Sequence, residues 1–234
     1  MKIVVVADSP DLAVHFSAMA FSLMSTGSDA GHATEWSADA RDLASGAVVT
    51  AASVPPGTYR LRAAATDATG RRGAVDTELA AEPTIAGPLQ ISAIMLGTSD
   101  PLTPFRPRLE FYNEASATAY LEVYSGLPYS GTLAIAWDIA KTPDGPALAS
   151  APAVTSATND PDRRIARGTL PIGPLPAGDY IVRASITIDG KVVGRVMGTL
   201  RKTDGSGARR TGAQDAGARI AGARGAGAAW PERR

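Results

Sequence analysis

The segment VPPGTYRLRAAATDATGRRG, starting at Val54, returns as LPAGDYIVRASITIDGKVVG, starting at Leu175. One constant offset superimposes Tyr59 on Tyr180, Gly57 on Gly178, Arg62 on Arg183 and Gly73 on Gly194. A chain that carries the same run twice is built from two copies of one structural unit. Each copy reads as a Pro/Gly turn, a strand of alternating character, a second turn and a second strand, the grammar of an antiparallel β-sandwich.

In the first copy Tyr59, Leu61, Ala63 and Ala65 share one face and Arg60, Arg62, Ala64 and Thr66 the other, the period of a sheet with one buried face. In the second, Tyr180, Val182, Ala184, Ile186 and Ile188 face inward, while Arg183, Ser185, Thr187 and Asp189 face out. Asp189-Gly190 then predicts a type I′ hairpin, whose two central residues need positive φ, with Lys191 to Leu200 as the returning strand. Arg62 and Arg183 are expected to serve a structural face or cross-strand pairing.

The 234 residues, with 24 Gly and 17 Pro, suit many turns joining short strands. The expected fold is all-β: two tandem immunoglobulin- or fibronectin-like antiparallel sandwiches, residues 1–86 and 87–202, followed by a disordered tail, 203–234. The segment from Glu82 to Pro88 holds two prolines and a glycine and reads as the interdomain linker, with the boundary near Ala86. The tail is rich in Gly, Ala and Arg, has almost no large apolar residue and shows no period, so it buries too little surface to offset ordering entropy.

Elsewhere the pattern is clear in places and ambiguous in others. Ile3 to Ala7 suits a buried strand. Leu12 to Met24 carries large apolar residues on both parities, so it is a strand covered on both faces, a strand with a bulge, or a helix. Thr26 to Gly31 reads as a turn and Ala38 to Leu43 as a short helix. Leu89 to Leu96 opens the second unit, and Thr132 to Ala140 places Trp137 at the centre of an alternating strand, as sandwich cores commonly do.

Charge and composition narrow the chemistry. Lys plus Arg and Asp plus Glu number 23 each, so no global field draws the chain to nucleic acid or an acidic membrane surface. No run approaches the ~18 apolar residues of a membrane span. The absence of cysteine removes disulfides, thiolate nucleophiles and Cys-ligated zinc. The apolar run at the start is too short and too soon charged, at Asp8 and Asp11, for a signal peptide. A cytoplasmic location follows if Met1 is the true start, and an extracellular or periplasmic one if the chain belongs to a longer exported polypeptide.

No residue constellation specifies a reaction. Asp8, Ser9 and Asp11 miss the Asp-x-Ser-x-Ser metal spacing, because Pro10 and Leu12 stand where the serines belong. His15 and His32 are isolated from each other and from further donors. Asp100, Asp144, Asp160 and Asp162 lie on predicted loops without the dense acidic spacing of a calcium loop. Neither a nucleophile elbow nor a phosphate loop occurs. No catalytic, cofactor or metal residue is expected, and no cofactor.

The one local enrichment is aromatic: Phe111, Tyr112, Tyr120, Tyr124 and Tyr129. Tyr120 and Tyr124 share a strand face opposite Leu121 and Val123 and form the candidate binding surface, for a protein or a sugar.

The runs GPLQISAIMLGT, PPGTYRLRAAATDATGRRG and LPIGPLPAGDYIVRASITIDGKVVGRV together resemble the C-terminal region of bacterial von Willebrand factor A-related proteins. There, an A domain is followed by tandem immunoglobulin-like units. The resemblance implies an exported interaction or scaffold segment with a protein partner or an upstream A domain, and with no constellation that specifies a reaction the leading expectation is a non-enzymatic pair of modules. Because the A domain and its metal motif are missing from this chain, no adhesion residue carries over. Two other readings stand beside this one: a carbohydrate-binding module using Tyr120 and Tyr124, and a hydrolase with a site at the domain junction.

Overall fold

A computed structural model describes residues 2–8, 14–26, 33–44, 48–100, 103–125, 131–204 and 219–225. It is all-β apart from one short helix, and the chain forms two compact units, Met1–Glu82 together with Gly207–Arg234, and Pro83–Ser206.

The first unit comprises β1 (Lys2–Asp8), β2 (Phe16–Ser25), β3 (Ala33–Ser37), α1 (Ala40–Ala44), β4 (Val48–Ser53), β5 (Gly57–Asp67) and β6 (Arg72–Ala81). Its sheet β3-β2-β5-β6 faces a second sheet in which β1 pairs with β4. The core between them takes Ile3, Val5 and Ala7 from β1, Met19, Phe21 and Leu23 from β2, and Tyr59, Leu61 and Ala63 from β5. The ambiguity of the second strand resolves as a bulge. The register against β5 shifts between Phe16 and Ala18, which returns Phe16 to the core side together with the odd-numbered Met19, Phe21 and Leu23. The Ser17 hydroxyl at the bulge donates to the carbonyls of Thr66 and Asp67. Helix α1 starts where Asp39 Oδ1 accepts the Asp42 amide at 2.8 Å, an N-cap.

The second unit comprises β7 (Thr84–Ala86), β8 (Leu89–Ile91), β9 (Met95–Asp100), β10 (Thr103–Pro107), β11 (Glu110–Phe111), β12 (Ser116–Ser125), β13 (Leu133–Ala140), β14 (Ala147–Pro152), β15 (Val154–Ala157), β16 (Arg163–Pro171), β17 (Gly178–Ile188) and β18 (Lys191–Lys202). One sheet runs β10-β9-β12-β16-β15, with β8 also on β12 and β7 on β8; the other runs β11-β18-β17-β13-β14. Both contribute to a single core with Trp137 at 1 % exposure. The indole lies against the backbone of the facing sheet: a Cβ at Gly168 would stand 2.2 Å from Trp137 Cδ1, so only glycine permits this approach. At the β17–β18 turn Asp189 has φ 48° and Gly190 φ 80°, as a type I′ hairpin requires.

The linker expectation needs correction. The segment 82–88 is not a free linker. Thr84–Ala86 pairs antiparallel with Leu89–Ile91 around Gly87-Pro88, and Ala86 is fully buried in the second core, so the division falls after Glu82. Proline at that turn forfeits no ladder bond, which is why a Pro/Gly signal fits a tight hairpin as well as a linker. The stretch Leu89 to Leu96 that opens the second unit divides between β8 and β9, parted at Ser92–Ile94, where Ser92 Oγ accepts the Glu122 amide. Within the tail the structure describes one strand, β19 (Arg219–Gly225), antiparallel to β1 from Lys2↔Gly225 to Asp8↔Arg219. The strand pairs backbone groups that the edge of β1 would otherwise leave open. Ser9, Asp11, His32, Tyr129, the turn through Gly31 and the remainder of the tail beyond Asp204 lie outside the described residues.

Candidate interaction face

The repeated residues form the same device twice. Tyr59 donates its hydroxyl to the Pro55 carbonyl at 2.9 Å, and Tyr180 donates to the Pro176 carbonyl at 2.7 Å. Both rings are core residues, at 2 % and 3 % exposure. Each bond spans four residues and closes the turn that leads into the strand, the arrangement known in sandwich domains as a tyrosine corner. Gly57 and Gly178, at φ 153° and 150°, turn the chain between carbonyl and ring in a region that residues with a Cβ rarely adopt. These residues, and their spacing, are architectural.

The arginines of the repeat diverge. Arg62 makes a bidentate pair with Asp76 across β5–β6, both bonds at 2.8 Å, with both side chains largely in solvent. Arg183 turns to the other neighbouring strand, pairs with Asp138 of β13 and donates to the carbonyls of Pro143 and Gly145 at 2.9 and 2.8 Å. The β13–β14 turn therefore covers Arg183, which is buried rather than outward and exposed as its strand parity suggested. Parity identifies the face of a sheet but is blind to a turn folded over it.

Strand β12 directs Ala117, Ala119, Leu121 and Val123 into the core and Tyr120, Glu122 and Tyr124 onto the opposite face. There the two tyrosines meet through a residue that sequence reasoning missed. Tyr120 donates to Glu122 Oε1 at 2.6 Å, Tyr124 donates to Oε2, and Arg163 of β16 donates to Oε1. In the β12–β16 register Tyr124 stands opposite Arg163 and Tyr120 opposite Arg167. The Arg167 guanidinium lies 5.6 Å from the Tyr120 ring centroid, and Phe105 of β10 stacks on the same ring at a centroid separation of 5.3 Å and an interplanar angle of 22°. The available signal was Glu122 itself, a charge placed two residues from each tyrosine on one strand face.

Burial, reinforced by the hydrogen bond to the Glu122 carboxylate and by its charge, pushes both tyrosine hydroxyls well above the usual phenol range. They stay protonated and act as donors. Glu122 is engaged at both oxygens, so the cluster works as a brace. Tyr120 is 7 % exposed and Tyr124 is half-buried. The accessible part of the face is its rim, where Arg167 is exposed and Val154 of β15, opposite Arg167 in register, is 70 % exposed.

The other aromatics of that stretch separate. Phe111 is fully buried in the core, while the Tyr112 amide is bound by Glu114. Of the loop acids, Asp160 Oδ1 accepts the Asp162 amide and Asp144 stands 3.8 Å from Arg195. No group of three or more His, Asp or Glu residues positioned to hold a metal occurs among the described residues. The first unit has an open depression of about 640 Å³ over β2, β5 and β6, floored by small residues such as Ala18, Ala20 and Ala64.

No protein-family model matches the chain, and no curated protein matches it either. Among solved structures, BcpA, the major pilin subunit of Bacillus cereus, is 11 % identical with a TM-score of 0.25, covering 80 % of this chain and 65 % of the pilin. A variant of that subunit gives 10 % identity, a TM-score of 0.25 and coverage of 81 % and 65 %. A chain described as BspA_C_WT gives 9 %, 0.25, and coverage of 86 % and 84 %. The chain thus spans less than two thirds of the length of the pilin structures, and the all-β assignment rests on its own strand topology.

Proposed function

We propose that the protein is a non-enzymatic tandem β-sandwich scaffold that presents the β12–β16 face to a protein partner. The observation carrying this reading is the preorganised cluster of Tyr120, Tyr124, Arg163 and Arg167 around Glu122, with Val154 exposed at its rim. Tyrosine and arginine dominate binding hot spots, and groups already held in place lose little entropy on association. In the fuller form of the proposal, the chain belongs to an exported von Willebrand factor A-related protein and the partner is an A domain.

Photo-crosslinking tests this reading. A photoreactive residue replacing Val154, compared with one replacing Arg60 on the first unit, is introduced into the protein in its native producing cell. A discrete protein adduct at position 154 and none at position 60 is expected, and an A-domain adduct supports the fuller form. Equal adducts at both positions, or none at 154, would remove this face as the partner surface. Glycan binding lost on Tyr124→Ala would replace the protein partner with a sugar, and turnover of esterase, protease or glycosidase substrates that survives repurification would overturn the non-enzyme reading.

A further inference from the structure

The first sandwich faces a four-stranded sheet with a sheet that residues 1–82 supply with only β1 and β4; the third strand, β19, comes from the far end of the chain. Strand β1 makes heavy demands on its neighbour. Ile3, Val4, Val5, Val6 and Ala7 are all at most 7 % exposed, so both faces of β1 are covered. Directly opposed residues of an antiparallel pair share a face. The core residues Ile3, Val5 and Ala7 stand opposite Arg224, Gly222 and Ile220. Two of those three core-side register positions therefore hold a guanidinium residue and a glycine, where a buried strand ordinarily carries β-branched or aromatic residues. Glycine within a strand weakens it further. Val4 and Val6 stand opposite Ala223 and Ala221 in register. Backbone register is complete over seven pairs while the residue types fit at one core position. No hairpin turn ties β19 to β1, so the segment leaves or joins the ladder without disturbing another pairing.

We propose that the edge of β1 is a strand-acceptor site for an extended peptide segment of a partner protein, carrying large aliphatic residues at three alternate positions, and that Arg219–Gly225 is its replaceable occupant. Main-chain bonding to β1 gives such a segment its affinity, and the positions opposite Ile3, Val5 and Ala7 give it its specificity, as in strand addition generally. This surface is in the first unit and does not depend on the β12–β16 face.

The test uses the full chain and a fluorescein-labelled peptide, Lys-Val-Thr-Val-Thr-Val-Lys, read by anisotropy. The wild-type chain binds it. Ile220→Asp, which weakens the resident strand, tightens binding at least tenfold, and the double variant Gly222→Val, Arg224→Val weakens it at least tenfold while raising the melting temperature. A peptide N-methylated along its β1-facing edge keeps its side chains, loses its ladder donors and does not bind. Equal affinity for the three protein forms, binding by the N-methylated peptide, or no binding to any form overturns the proposal. Concentration-dependent dimers of the wild-type chain that the peptide does not dissolve assign the edge to a second copy instead and also overturn it. A failed cross-link at Val154 leaves these outcomes unaffected.

Discussion

At the scale of single residues, the strongest constraints are those that two copies share. The Tyr59 and Tyr180 hydroxyls each hold a prolyl carbonyl, and each ring fills a core. Tyr180→Phe keeps the ring and removes one hydrogen bond, so it should cost about 0.5–1.5 kcal/mol. Tyr180→Ala also empties the core site and should cost roughly 3–5 kcal/mol; chemical denaturation of the two variants separates the contributions, and a loss below about 1 kcal/mol for the alanine variant would show that the ring is not core. Gly168 is the complementary case, since adding one methyl group there drives it into Trp137. Gly168→Ala should destabilise the second unit by about 1–3 kcal/mol or more through overpacking, read as a lowered denaturation midpoint with unchanged slope. The tyrosines were legible because they recur with their glycines; Gly168 was not, because a close approach between facing sheets leaves no mark in the local pattern.

At the scale of elements, the β5–β6 hairpin has an electrostatic lock at its turn. Asp67 Oδ1 accepts from the Thr69 amide and hydroxyl and from the Arg71 amide, and Oδ2 accepts from Arg71 Nε at 2.6 Å. The Thr69 hydroxyl bond, with the Arg71 bonds and against an opposing effect of burial, holds the carboxyl at about 2 instead of 3.8. A carboxyl with a lowered folded pKa binds fewer protons folded than unfolded, so its contribution to stability is complete above pH 3.8 and declines as pH falls through that value towards 2. The melting temperature of the first unit should therefore fall across that window, and Asp67→Asn should remove this part of the acid dependence; an unchanged acid profile in the variant contradicts the lock. The repeated arginines make a second comparison. Arg183→Ala leaves Asp138 and two turn carbonyls without their donor inside a covered site, a loss of about 3–5 kcal/mol for a broken buried pair. Arg62→Ala removes a solvent-exposed pair and should leave the midpoint within measurement error.

Strand alternation, the I′ turn at Asp189-Gly190 and the core position of Trp137 could all be read from local pattern, because each depends on a few neighbouring residues. The Arg163 arm of the Glu122 brace and the pairing of β19 depend on residues distant in sequence, and no periodicity encodes a partner strand; the β7–β8 hairpin is local, but its Pro/Gly signal reads equally as a linker.

At the scale of the whole molecule, two sandwiches each have their own core, one with Tyr59 and one with Tyr180, and the chain visits the first unit at both ends. In the proposed scaffold role the chain transmits position instead of chemistry, and its functional residues belong on faces that the core strands hold rigid. The measurement that tests this account most directly is hydrogen exchange, followed by mass spectrometry, on the full chain and on Tyr180→Ala under identical conditions. The account predicts strong protection of β2 and β5 and of β12, β13, β16 and β17 in the parent, with the variant losing protection in the second set and keeping it in the first. Equal loss in both sets, or undiminished protection of β17, would contradict a chain built from two corner-locked sandwiches.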